Sequence, residues 1–488
     1  MPYRKFTNDI IIIGLIQTIL FIKAFVVLPV ITKLLGPEDY GTWVQILVTV
    51  SLITPLATLG LSYTLVRFLA GENDKERIKD GFYSAAAAIL AMAGTAGAVI
   101  LFNSGQIANF FGNGLILVQM LSAIVIFECL NDLLFSYFRT FQQIKKYFVF
   151  FASQTIAEVA LVIAGVFLGY GLFGAVLSLL LVRMVNFSVM GIFVVKKIGI
   201  AIPRFTRIKE YLRFGLPTIP GNISSWVTQS SDRFLISFFL GVMFVGYYAP
   251  AYTIASSIGL FITPFSFLLP AALSKFFDEK NTSMVKAYLE YSLKFYLALA
   301  IPSVFGLSLL SKRLITIFST PEIAAHSYGV IPLIAASVMM FGVYVIFSQI
   351  LVIFKKTYAL GNVWIFAAVF YLILDVSLIP AFGILGAATT NCITFFIILS
   401  FVWYYSFKKI GFCFKVDLEI IVKIFLASCV MVAIVAFLDP VTILAVLGTI
   451  MVGAVSYGVF LLLLGVISKK EISFLKNNIL MLFSRKTN

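Results

Sequence analysis

Residues 10–30 read IIIIGLIQTILFIKAFVVLPV, an unbroken apolar stretch whose only charge is Lys23. A run of this length crosses the roughly 30 Å of bilayer hydrocarbon as a helix. A barrel strand would instead alternate polar and apolar residues over about 10 positions, and this stretch is apolar on all faces. Comparable runs recur at Phe82 to Phe102, Leu115 to Leu134, Phe148 to Leu168 and Val441 to Ile467. The reading extends to about fourteen spans, at 10–32, 41–66, 81–102, 115–138, 147–168, 171–195, 215–239, 244–273, 288–310, 327–354, 358–379, 383–406, 419–438 and 440–467. With 61% of 488 residues hydrophobic and 12% charged, the chain is expected to be an all-α polytopic membrane protein.

Basic residues test the count, because short loops that retain Lys and Arg mark the cytoplasmic side. With the N-terminus inside, 29 of the 36 basic residues fall in alternate gaps, from Arg4 and Lys5 to the tail beyond Lys469. Lys33, Lys312 and Arg313 fall on the other side, and Lys23, Arg183, Arg233 and Lys294 fall within spans. Both termini are therefore expected in the cytoplasm. The formal charge of +15 is spread over eight loop segments, which fits anionic lipid headgroups and excludes a nucleic-acid groove. Met1 to Lys5 with the first span lacks a small-residue cleavage site and reads as a retained helix. Between Pro203 and Phe214, apolar Phe205, Ile208, Tyr211 and Leu212 recur at helical spacing among basic residues, predicting an interfacial helix.

Three short patterns recur in order. Leu35-Gly36 with Gly41 returns as Leu240-Gly241 with Gly246, 205 residues later. Ile144 to Tyr147 has a counterpart in Phe354 to Tyr358, and Gly171 to Ala175 in Gly383 to Ala387. The near-constant offset predicts a duplicated six-helix unit. Six is even, so the copies are parallel repeats about an axis along the membrane normal, as in transporters with a cavity between bundles. The expected organisation is an N-lobe of six helices at 1–195, a cytoplasmic linker at 196–214, a C-lobe of six helices at 215–407, and two further helices with a tail at 408–488. Kinks are expected at Pro29, Pro55, Pro217, Pro220, Pro264 and Pro302.

Ionisable residues within spans cost about 2.5 to 3.5 kcal/mol each at a helix centre, so they face a protein interior or a wet cavity. Lys23 is read as a cavity cation for an anionic headgroup, with pairing to Glu158 as the structural alternative. Arg233 lies beside Asp232, its expected ion-pair partner. Arg183 and Lys294 are expected to snorkel. Glu128 and Asp132 share a helix face and, with Glu158, Asp232 and Asp375, are candidates for coupling to H+ or Na+. No cofactor is called for. His326 is placed at headgroup level on the outer side, and Cys129, Cys392, Cys413 and Cys429 lack metal spacing. With no phosphate-cradling Gly-x-x-x-x-Gly-Lys-Ser/Thr loop, no Asp-x-Asp pair and no long inter-helix loop, the chain is expected not to be an enzyme.

Leu34 to Gly41, with Gly60-Leu61 and Arg67, resembles the start of the polysaccharide transporter family of oligosaccharide flippases. Phe214 to Pro220, Ser231 to Phe234, Leu240-Gly241, Val245 to Tyr248 and Ala251-Tyr252 resemble that family's seventh and eighth helices. The family belongs to the multidrug, oligosaccharidyl-lipid and polysaccharide exporter superfamily, with two six-helix lobes. The resemblance implies transport of a polyprenyl-diphosphate-linked oligosaccharide from the cytoplasmic to the outer leaflet of the cell membrane. On that basis Lys23 and Arg233 would meet the diphosphate, and Tyr63, Asn222, Trp226 and Gln229 the sugars. Membrane lipids, and a glycan polymerase or ligase, are the expected partners. The rival readings are an ion-coupled multidrug antiporter, which would depend on Asp375, Glu128 or Glu158, and a peptidoglycan-precursor flippase. A membrane glycosyltransferase ranks last.

Overall fold

A backbone in hydrocarbon must pair its amides within its own segment, and helices are the only regular elements among the described residues. The computed structural model describes residues 2–112, 114–438, 440 and 442–466, with side chains from Gly14 onward. The side chains of Arg4 and Lys5, and the basic tail from Lys469, lie outside the described residues.

The first half comprises α1 (Pro2–Ala57), α2 (Leu61–Leu69), α3 (Lys75–Phe102), α4 (Ser104–Phe110), α5 (Leu115–Thr140), α6 (Ile144–Gly165) and α7 (Gly171–Ile198). A short α8 (Ile208–Gly215) leads to α9 (Ile219–Leu240), α10 (Val242–Ala255), α11 (Thr263–Asp278), α12 (Thr282–Leu309), α13 (Ser311–Phe318) and α14 (Pro321–Ser327). Then come α15 (Val330–Ile353), α16 (Thr357–Phe382), α17 (Ile384–Tyr404), α18 (Leu418–Ala436) and α19 (Ile443–Leu463).

Among the described residues, eleven helical runs are long and apolar enough to cross a membrane. The expectation of fourteen departs from this at three places. Segments 10–32 and 41–66 share the run Gly14–Ala57, and 147–168 and 171–195 share Ile144–Ile198. The segment 215–239 falls on α9, whose Asn222, Gln229, Asp232 and Arg233 make it too polar to qualify. The break in α1 falls at Gly36 (φ 88°) and not at Pro29 or Pro55.

The repeated glycines share backbone shape. Gly36 and Gly241 have φ of 88° and 96°, and Gly171 and Gly383 have φ/ψ of 55°/−143° and 62°/−142°. Such torsions favour glycine, which is why the motif survives in both copies. Helices α3, α5, α6 and α7 pack on one another, and α9, α12, α15, α16 and α17 form a second group with α18 and α19 beside α12. Across the boundary α1 packs on α10 and α9. At that crossing an added Cβ on Gly41 would strike the Val242 carbonyl, and one on Gly246 would strike the Pro37 carbonyl. Gly246 lies 205 residues after Gly41, and Val242 205 after Pro37, so the contact is reciprocal, as a two-fold relation requires.

The segment before α8 is tied to the first half. Asp80 on α3 accepts bonds from the Arg204 amide at 2.7 Å and from the amide and hydroxyl of Thr206. Tyr83 donates to the Gly199 carbonyl at 2.8 Å, and Thr64 to that of Tyr211 at 3.2 Å. The interfacial helix expected from Pro203 begins only at Ile208. Its Tyr211 is buried against Phe68 instead of facing lipid.

Candidate functional site

Alternating helices gather the loops that carry Arg67, Arg139, Lys145, Lys146 and Lys196 at one end of the bundle, here termed the basic end. From this end three connected chambers run inward between the two halves. The mouth, about 720 Å³, is lined by Arg67, Gly71, Arg139 and Phe214. It shares Ser62, Tyr63 and Arg139 with a middle chamber of about 380 Å³, lined also by Thr54, Asp132, Asn222, Ser225, Trp226 and Gln229. Ser51 and Ser230 then join the middle chamber to a deep one of about 410 Å³, lined by Lys23, Tyr40, Trp43, Arg233 and Thr253. Tyr40 and Trp43 are nearly fully buried where α1 approaches its crossing with α10.

The polarity of α9 builds one wall. Its polar residues recur toward the first half because α9 packs on α1 there, and Trp226 donates its indole N–H to Ser51 at 3.0 Å. Gln229 donates to Ser225 at 2.7 Å. Four of the expected sugar contacts, Tyr63, Asn222, Trp226 and Gln229, thus line one chamber together with Asp132.

Arg233 is held on every side. Its guanidinium pairs with Asp232 at 2.9 Å, donates to the Gln229 carbonyl, and lies 3.9 Å from the Tyr252 ring centroid. Asp232 is fully buried and accepts from Tyr248 at 2.6 Å and from the Arg233 amide at 2.9 Å. Gln45 on α1 donates to the Arg233 carbonyl at 2.6 Å, joining this cluster to the other half. Tyr248 and Tyr252 stand four apart on α10, one helical face, a spacing visible in the sequence but assigned no role there.

Lys23 reaches the deep chamber and pairs with Glu158 on α6. Glu158 also takes Arg183 NH1 at 2.9 Å, and Arg183 pairs in turn with Glu128 on α5. Arg183 therefore does not snorkel: it lies mid-way along α7, too far from either end to reach a headgroup, and is buried. Glu128 and Asp132 do not form a common path. Glu128 faces Arg183, while Asp132 accepts from Ser62 and lies 3.9 Å from Arg139.

Asp375 on α16 is fully buried, and Thr390 on α17 is its side-chain neighbour. Thr390 and Thr394 are likewise fully buried. Nearby Tyr371 accepts from Asn391 at 2.8 Å. The two threonines carried no signal in the sequence beyond their i,i+4 spacing. His326, at the opposite end, stacks on Tyr247 with ring centroids 4.5 Å apart, and Tyr247 donates to Glu322 at 2.7 Å. Among the described residues no group of three or more His, Cys, Asp or Glu side chains could hold a metal ion.

A family model described as polysaccharide biosynthesis protein matches residues 30–327, more than half of the chain. The chain belongs to this family. It is 23% identical over 220 residues to a Haloferax volcanii protein named "Probable low-salt glycan biosynthesis flippase Agl15", a match covering 43% of this chain and 46% of that one. It is 24% identical over 240 residues to the succinoglycan biosynthesis transport protein ExoT of Rhizobium meliloti, covering 48% of this chain and 46% of that one. The match therefore spans about half the length of each relative.

The fold is similar to that of the lipid II flippase MurJ in an inward closed conformation, with a TM-score of 0.74 and 20% identity, covering 91% of this chain and 97% of that one. An inward-facing multidrug resistance MATE transporter of the MOP superfamily matches at a TM-score of 0.63 and 15% identity, covering 80% and 94%. Eleven membrane-length apolar runs in a member of a polysaccharide biosynthesis family accord with the multi-pass membrane protein that the resemblance implied.

Proposed function

We propose that the chain carries a polyprenyl-diphosphate-linked oligosaccharide from the cytoplasmic to the outer leaflet by alternating access of two lobes, 1–195 and 215–407. Residues 196–214 are the linker, and 408–488 the added helices and tail. The observation that carries this reading is that Lys23 and Arg233 line one chamber together, while Tyr63, Asn222, Trp226 and Gln229 line the chamber that adjoins it at Ser51 and Ser230. A diphosphate and several sugars cannot cross hydrocarbon unaided, whereas a polyprenyl tail stays in lipid. Lys23 and Arg233 compensate the diphosphate, and Tyr63, Asn222, Trp226 and Gln229 contact the sugars. The chain acts as a carrier and not as an enzyme, with the basic end in the cytoplasm of the cell membrane. It hands its cargo to a glycan polymerase or ligase. A negative-inside potential favours outward movement by about 2.3 kcal/mol per charge per 100 mV.

Purified protein in liposomes with a fluorescent polyprenyl-diphosphate oligosaccharide tests the reading through loss of probe from one leaflet under an imposed potential. Lys23→Ala is expected to slow that loss about 10- to 100-fold, the worth of a hydrogen bond to a charged group. No translocation by the wild type, with normal export of organic cations from the same vesicles, would leave the antiporter instead.

The full burial of the Asp375 carboxyl, with the hydroxyl of Thr390 beside it, supports a coupling site for H+ or Na+ in the second lobe. If so, an imposed pH or Na+ gradient accelerates the wild type, and Asp375→Asn removes the acceleration while translocation driven by potential persists. Equal acceleration in the variant would remove Asp375 from the coupling path.

A further inference from the structure

We propose that Arg183 is a positioning residue, holding Glu158 so that Lys23 can exchange that carboxylate for the anionic group of a substrate. The inference rests on the diphosphate reading above. Four charges from four helices alternate in one buried chain: Lys23 on α1, Glu158 on α6, Arg183 on α7 and Glu128 on α5. Two cations meet two carboxylates, so the chain carries no net charge. An incoming dianion gains little from Lys23 while Lys23 remains on Glu158.

Exposure decides which cation can move. The Lys23 side chain is 19% exposed and lines the deep chamber, whereas Glu158 and Arg183 are 2% and 10% exposed and line none of the three chambers. A buried carboxylate stripped of its only cation is strongly disfavoured. Glu158, however, keeps Arg183 on Oε2 at 2.9 Å when Lys23 leaves Oε1. Arg183 itself is fixed: it spans Glu128 and Glu158, and its carbonyl accepts from Asn131 at 3.0 Å. Planar guanidinium suits this two-sided role, and the flexible ammonium of Lys23 suits the mobile one. Arg233 is different, since among the described residues Asp232 is its only carboxylate partner and is fully buried.

The test uses full-length protein in detergent and farnesyl diphosphate as a short polyprenyl-diphosphate probe, with Kd from titration calorimetry. Arg183→Gln leaves Glu158 with Lys23 alone, pins Lys23, and is expected to raise Kd about tenfold, the factor that about 1.4 kcal/mol produces. Glu158→Gln releases Lys23 and is expected to restore binding in the Arg183→Gln background. In a Lys23→Ala background, Glu158→Gln is expected to leave Kd unchanged, which separates exchange from a general change in cavity charge. Arg183→Lys keeps a cation near Glu158 but not the two-sided guanidinium, so its Kd should fall between those of the wild type and Arg183→Gln, and thermal unfolding in detergent checks that each variant is folded.

Overturning results are a double variant that is folded yet binds no better than Arg183→Gln, or a Glu158→Gln effect that persists without Lys23. If the wild type fails to bind the probe at all, the diphosphate reading falls and takes this inference with it. Wild-type binding without the Lys23-dependent pattern overturns only the role of Arg183.

Discussion

Arg233→Ala is expected to abolish translocation and to destabilise the protein by about 3–5 kcal/mol, the cost of breaking a buried pair from one side. The cause is Asp232, which is fully buried and would keep only Tyr248 and a backbone amide as partners. Arg233→Lys should recover part of the stability and little of the transport. A lysine supplies charge but not the planar group that bonds Asp232 and the Gln229 carbonyl while lying 3.9 Å from the Tyr252 ring centroid. Asp232→Asn with Arg233→Gln removes both charges and should refold to near wild-type stability while remaining inactive. Denaturant titration in detergent and the liposome assay check the two halves of this expectation. An Arg233→Ala protein as stable as the wild type, or an active double variant, would contradict it.

The second large effect concerns the crossing of α1 and α10. Gly246→Ala places a methyl group on the Pro37 carbonyl, and Gly41→Ala places one on that of Val242. The obstacle in each case is backbone, so the helices must separate, and overpacking of this kind costs about 1–3 kcal/mol. Valine at either site should prevent a folded product from accumulating. Glycines without such neighbours give the contrast: nothing lies within 4 Å of a Cβ at Gly94 or Gly191. Alanine there removes the penalty of about 1 kcal/mol that glycine carries inside a helix. Thermal stability in detergent should fall for Gly41→Ala and Gly246→Ala, and hold or rise for Gly94→Ala. A fall of equal size at all three would mean that the crossing has no special role.

How far the sequence could be read is clear from particular residues. Apolar runs located the helices because lipid demands little beyond length and hydrophobicity. The repeated glycines marked the duplication, whereas the crossing at Gly41 and Gly246 emerges only when packing brings the two backbones together. Asp232 and Arg233 were legible as a pair, being adjacent. Arg183 was not, since its partners Glu128 and Glu158 lie on other helices and only packing brings them to it. Gly36, not a proline, breaks α1, because a positive φ interrupts a helix more sharply than the proline rings it contains. Where each span ended was also obscured, as the break at Gly36 is a single residue and helix resumes at once on both sides of it.

The ties that Asp80, Tyr83 and Thr64 place on residues 199 to 211 leave a very short free connection between the halves. Only the turn Leu216–Thr218 separates the tethered α8 from α9. Gly215 lies so close to Leu59 and Gly60 that a side chain there would collide with their backbone. Along the chain, a rotation of one half against the other would have to pass through this short link, so the angle between α8 and α9 is its natural gauge. A pair of spin labels at Lys209 and Gly221, one on each side of it, would read any change in that angle directly.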